Sequence, residues 1–97
     1  MSSPVKLTEA EIQSKLNQLA GWSLEDGKLH KQFQFDSFVS AFGWMASAAL
    51  VAETMGHHPE WTNVYNRVTV NLVSHDAGGI TELDFNLAKQ MDGLAGK

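Results

Sequence analysis

Three of the four histidines gather in one short region. His57 and His58 open the run His57-His58-Pro59-Glu60-Trp61-Thr62-Asn63-Val64-Tyr65-Asn66, and Ser74-His75-Asp76 closes the next apolar stretch. An imidazole has an unperturbed pKa of about 6.5, so it gives and takes protons near neutrality, and three beside a tryptophan suggest an acid–base site. Pro59 biases His58 toward an extended backbone, so the adjacent rings of His57 and His58 should point in different directions and do different jobs. Adjacent histidines also lack the i, i+4 spacing that aims two ring nitrogens from one helix at an ion, so no metal site is expected.

His75 stands at the end of an apolar strand segment, where a rigid sheet can present a side chain to a cleft, with Asp76 as its nearest charge partner. Asp84 falls in the first turn of the last helix, where capping explains a carboxylate and a site role is the lesser reading. Trp61 offers a flat face to a heteroaromatic ligand but equally suits core or interface packing, while Trp22 and Trp44 read as packing. His30, next to Lys31, reads as a solvated strand residue. The chain has no cysteine, no Gly-x-Ser-x-Gly turn and no phosphate-binding glycine pattern, so covalent acyl chemistry and nucleotide binding have little support. Proton transfer on a small, flat, uncharged substrate remains.

The elements that must position these residues follow from pattern. Thr8-Glu9-Ala10-Glu11 is a capping box with Leu7 and Ile12 placed as a staple, which predicts a helix from Glu9 to Leu19 with Ile12, Leu16 and Leu19 inward. Gly21 stops it. Trp22 to Leu24 and Leu29 to Phe35 read as strands around the Glu25-Asp26-Gly27-Lys28 turn, with Leu29, Phe33 and Phe35 on the buried side. Asp36 is placed to cap a long helix running to Met55, with Gly56 as its stop. Phe38, Phe42, Met45 and Ala49 recur at helical spacing, Val39, Ala46 and Leu50 form a second stripe, and Ala48 and Val51 widen the uncharged surface. One sheet in a domain this small covers only part of that, so the rest predicts a subunit interface.

From Asn63 to Ser74, Val64, Val68, Val70 and Leu72 share one parity and Asn63, Arg67, Thr69 and Asn71 the other, the signature of strand with one wet face. The pattern does not decide between one bent strand and two strands broken near Asn66-Arg67. Gly78-Gly79 ends the segment. Thr81-Glu82-Leu83-Asp84 then caps a last helix carrying Leu83, Leu87 and Met91, with Gly93 closing it. The order helix, strand pair, helix, strand segment, helix defines an α+β sandwich with helices on one sheet face.

Ninety-seven residues, 43% of them apolar, fit a single domain over residues 1–97 that a partner subunit would help to stabilise. A formal charge of −4 without a basic patch argues against nucleic-acid binding. The N-terminal Met1-Ser2-Ser3-Pro4-Val5-Lys6 lacks the apolar core of a secretory signal, and the longest uncharged stretch, Ser37 to Ala52, is short for a membrane span. A cytoplasmic protein is therefore expected.

The chain resembles the pterin-4a-carbinolamine dehydratases. The resemblance rests on Glu53 with His57-His58-Pro59-Glu60-Trp61-x-Asn63-Val64-Tyr65-Asn66-x-Val68, then on Leu72, His75, Gly79, Thr81, Asp84 and Leu87-Ala88. Gly21-Trp22 and Phe33-x-Phe35-x-x-Phe38 extend it over nearly the whole chain. Thr54 stands where a lysine is frequent and Ser74 where threonine is usual, and neither change removes a proton carrier.

The resemblance implies a lyase that dehydrates 4a-hydroxytetrahydropterin to quinonoid dihydropterin, recycling pterin used by an aromatic amino acid hydroxylase, with no metal or redox cofactor. It implies His57, His58 and His75 as the catalytic set, with His57 and His75 in acid–base work. The pterin pocket would be formed by His58, Pro59, Glu60, Trp61, Ser74, His75 and Asp84. With the segment before His75 counted as two strands, the expected fold is a two-layer sandwich: a four-stranded antiparallel sheet with three helices on one face, in the order α-β-β-α-β-β-α. It further implies a homodimer or homotetramer through the 36–55 helix. The runner-up is a non-catalytic interaction module, since family members also serve as dimerisation cofactors of a homeodomain transcription factor through that helix. A third reading is a receptor that holds a pterin without turning it over.

Overall fold

The computed structural model describes residues 5–96; the first four residues of the segment read for a leader, Met1 to Pro4, lie outside them. The elements are α1 (Glu9–Leu16), β1 (Ser23–Glu25), β2 (Lys28–Gln34), α2 (Phe38–Met55), β3 (Glu60–Val64), β4 (Arg67–Leu72), a 3-10 turn (His75–Ala77) and α3 (Glu82–Gly96). The strands form one antiparallel sheet in the order β1-β2-β4-β3, and the α+β order matches expectation.

Strand alternation sends Leu29, Phe33, Val68, Val70 and Leu72 to one face, where they join Trp44, Phe85, Leu87 and Met91 from the helices in a single buried cluster. Trp44 is its hub, with ring centroids 4.4 Å from Phe33, 5.2 Å from Phe35 and 6.2 Å from Trp61. Its indole N–H donates to the Met91 carbonyl, and that of Trp22 donates to Asp92, so both tryptophans pack and tie α3 to the body.

Several boundaries differ from the pattern. The capping box of Thr8 and Glu11 is present, but α1 ends at Leu16, and Gln18 and Leu19 continue only through i→i−3 bonds. Ser37, not Asp36, caps α2: its backbone is extended and its hydroxyl accepts from the Ser40 N–H. Gly93 does not close α3, which continues to Gly96. A helical glycine costs only about 1 kcal/mol against alanine, and the Trp22 and Trp44 bonds anchor the preceding turn.

The segment before Ser74 is two strands. Val64 pairs with Arg67 across a two-residue turn in which Tyr65 takes φ 52° without a glycine. The Asn63 amide donates to the carbonyls of Tyr65 and Arg67, and the Asn66 amide donates to Phe35, which holds the turn. The turn shifts the parity, so Val64 lies on the open face and is exposed, whereas Val68, Val70 and Leu72 are buried.

Inside α2 the buried stripe is Ala41, Trp44, Ala48 and Ala52, rather than Phe38, Phe42 and Ala49. Three alanines let the helix lie close to the sheet, and the larger side chains Phe38, Val39, Phe42 and Leu50 face outward. By length and composition alone α2 is apolar enough to cross a membrane. Its Ala41, Trp44, Ala48 and Ala52 are nonetheless buried in the core.

Phe85 is the largest fully buried side chain, and it carries α3 onto the sheet. Phe85→Ala is expected to cost about 3–5 kcal/mol, a large part of the net stability of a domain this size, read as a drop in the urea midpoint.

Candidate active site

The site is built where α2 ends, β4 ends and α3 begins. Gly56 takes the left-handed conformation, φ 64°, that ends α2 with the His57 N–H on the Ala52 carbonyl and the Gly56 N–H on Glu53. This pair of bonds fixes the backbone of His57 to the helix. On the other side, Ser74 and Gly79 exchange two backbone hydrogen bonds around the His75–Ala77 turn, and Gly78, at φ 78°, lets that turn close. His75 thus sits on a tight loop at the strand end, as expected.

At the start of α3, the Asp84 carboxylate is fully buried. Its Oδ2 accepts from the Thr81 N–H and the Ser74 hydroxyl, both at 2.9 Å, and its Oδ1 meets His57 Nε2 at 2.5 Å. Asp84 therefore caps its helix and holds His57 at once. Because the Ser74 proton is committed to Asp84, the Thr81 hydroxyl must donate to Ser74 across their 2.7 Å contact, while its oxygen accepts from the Leu83 N–H. Ser74 and Thr81 thus form a directed chain of donors ending on the buried carboxylate.

His58 and His75 are held in the same manner. His58 Nε2 pairs with Glu53 on the last turn of α2, and His75 Nε2 pairs with Glu60 on β3, each at 2.8 Å. The partner of His75 is Glu60, not Asp76, because β3 runs alongside the end of β4 and brings Glu60 across. The other oxygen of Glu60 accepts from Lys28 at 2.7 Å. The Lys28 bond first, and the His75 bond second, hold the Glu60 carboxyl below the usual carboxylate range, so it is ionised at neutral pH. His30 is not simply solvated: its Nδ1 donates to the Asn71 side chain at 2.9 Å, and Glu25 lies 3.7 Å from its Nε2.

His57, His58, Ser74 and His75 line one cleft of about 390 Å³ together with Gly56, Val73, Asp76 and Leu83, a volume within the range of small-molecule sites. The rings of His57 and His58 diverge, the first 11% exposed against Asp84 and the second 65% exposed against Glu53. Each of the three rings meets a carboxylate at Nε2. An ionised carboxylate only accepts, so Nε2 carries the hydrogen and Nδ1 is the nitrogen left for a ligand. Asp84 reaches the cleft through His57 and Ser74, and Glu60 through His75. Pro59 and Trp61 do not line the cleft; Trp61 projects from the opposite side of β3 toward Trp44. Sequence pattern did not reveal Lys28, and it gave no sign that Glu53 would be the partner of His58; the latter signal lay only in the family motif.

Fold and cleft define a class: a one-sheet α+β domain that gathers carboxylate-held imidazoles at the end of its sheet. The family model for pterin 4 alpha carbinolamine dehydratase matches residues 5–94. A relative from Solibacter usitatus named "Putative pterin-4-alpha-carbinolamine dehydratase" is 57% identical over 90 residues, covering 93% of this chain and 95% of its own. A crystal structure from Brucella melitensis, described as a transcriptional coactivator/pterin dehydratase, superposes with a TM-score of 0.91 at 48% identity, covering 94% of this chain and 99% of that one. A more distant structure, a pterin dehydratase-like protein described as a RuBisCO assembly factor of the alpha-carboxysome, gives 0.64 at 25% identity, over 78% of this chain and 88% of that one. The chain belongs to the pterin-4-alpha-carbinolamine dehydratase family, whose members carry the name of a hydro-lyase.

Asp84→Asn should preserve the acceptor for Thr81 and Ser74 but present an amide N–H to His57 Nε2. The ring is then expected to move its hydrogen to Nδ1, a tautomer change read directly in the ¹⁵N shifts of His57. Unchanged ring shifts in the folded variant would contradict the assigned geometry.

Proposed function

We propose that this chain dehydrates 4a-hydroxytetrahydropterin to quinonoid dihydropterin by histidine acid–base catalysis. The observation that carries the reading is the convergence of His57, His58 and His75, from a helix end and a distant strand end, on one cleft. In the reaction the C4a–O bond breaks as an acid protonates the departing hydroxyl, the N5 hydrogen leaves to a base, and a C4a=N5 double bond forms with release of water. One imidazole to donate and one to accept suffice, and His57 and His75, which line the same cleft, fill those roles. His58 orients the pterin by hydrogen bonding, and Pro59 and Trp61 support its loop from behind. The substrate arises when an aromatic amino acid hydroxylase has used a tetrahydropterin, so the reaction is a recycling step.

A positioned acid or base contributes about 10²–10⁴-fold. His57→Ala and His75→Ala are each expected to lower kcat by a factor in that range, measured with enzymatically generated carbinolamine and checked for folding by circular dichroism. Wild-type rates in both folded variants would overturn the mechanism, and saturable pterin binding without acceleration would favour the receptor reading.

The outward aromatic and aliphatic face of α2 supports self-association as a dimer or tetramer, since Val39 is 79% and Leu50 70% exposed in the single chain. The same face would serve the interaction-module reading. Phe42→Asp is expected to reduce the sedimenting species to a monomer; an unchanged oligomer would remove α2 as the contact.

A further inference from the structure

Lys28 lies outside the cleft, yet it is joined to the cleft by an unusual route. It stands on β2 and Glu60 on β3, and β4 runs between them, so their ion pair spans two strand spacings, about 9–10 Å of sheet. A nearer acid was available: Glu25 is the cross-strand neighbour of Lys28, and it leans instead toward His30. The lysine reaches past its neighbour to the carboxylate that holds His75. The result is a line of three groups, Lys28 Nζ to Glu60 Oε1 at 2.7 Å and Glu60 Oε2 to His75 Nε2 at 2.8 Å.

We propose that Lys28 and Glu60 are positioning residues for His75: Lys28 fixes one oxygen of Glu60 so that the other stays aimed at Nε2, and its charge tempers the hold of that carboxylate on the ring proton. This deepens the dehydratase reading and rests on it for its kinetic consequence. His75 is 73% exposed, so without such a clamp its ring would sample many orientations. Lys28, whose side chain is partly covered at 32% exposure, supplies the counter-charge. The other titratable groups facing this line are Asp76 beside His75, His57 and His58 in the cleft, Asp84 behind His57, and Glu25 and His30 beside Lys28. None of them contacts His75 Nε2. Exposed ion pairs contribute little to stability, so the effect of this one is to be read in the proton chemistry of the ring rather than in the fold.

The test uses the full chain and the limb of the kcat pH profile that disappears in His75→Ala. Removing the carboxylate in Glu60→Gln is expected to move that limb to lower pH, and removing the ammonium in Lys28→Met to move it to higher pH. Each shift should be about half a pH unit, the size expected of one solvent-screened charge at this range, and should shrink in high salt. Lys28→Arg keeps the charge and is expected to restore the wild-type limb. The ring of His75 should show the same opposed shifts in an NMR titration, which does not depend on turnover. Shifts in one direction, or none, in folded variants would overturn the clamp. Absence of saturable acceleration in the wild type would overturn the dehydratase reading, and the ring titration would still decide the clamp.

Discussion

A carboxylate withdrawn fully from water must be surrounded by donors, and Asp84 meets that demand with parts of three separate elements. The Thr81 N–H comes from the start of α3, the Ser74 hydroxyl from the end of β4, and His57 from the end of α2. Such a group is costly to bury alone and tolerable only when each lone pair has a partner. The requirement joins the three termini around one point, and the cleft is the space just outside it. The left-handed residue that ends α2 and the glycine that closes the His75 turn exist in the same service, since each delivers a histidine at a fixed angle.

Much of this was legible in the chain itself. The capping box of α1, the Asp26-Gly27 hairpin, the glycine stop before His57 and the α+β order all depend on contacts within a few residues, and such contacts leave marks in local pattern. The divergence of His57 and His58 was readable for the same reason, through Pro59. The second hairpin was not, because its turn has no glycine. Two asparagine side chains, one reaching back to Phe35 on another strand, replace the local signal.

The sequence showed that only part of the apolar surface of α2 could be covered, but periodicity marks apolar residues without saying which those will be. The sheet covers Trp44 and three alanines, and Phe38, Val39, Phe42 and Leu50 stay outside. The partners of the histidines were hidden for a related reason. Asp84 is 27 residues from His57, and Glu60 is 15 from His75, so only the assembled sheet and helices bring them together. Proximity in sequence suggested Asp76 for His75, and the strand pairing supplied Glu60 instead. Lys28 carried no mark at all, since its partner lies two strands away.

The division of α2 into a covered face and an open one has a consequence for how such a domain can diversify. Its outer aromatics do not line the cleft, and the bonds it makes to cleft histidines come from its last turn, the Ala52 carbonyl to the His57 N–H and the Glu53 carboxylate to His58. The open face of α2 and the cleft therefore lie apart, and substitutions can accumulate on one without disturbing the other. One scaffold can then acquire new associates while keeping its chemistry, or lose the chemistry while keeping its associates.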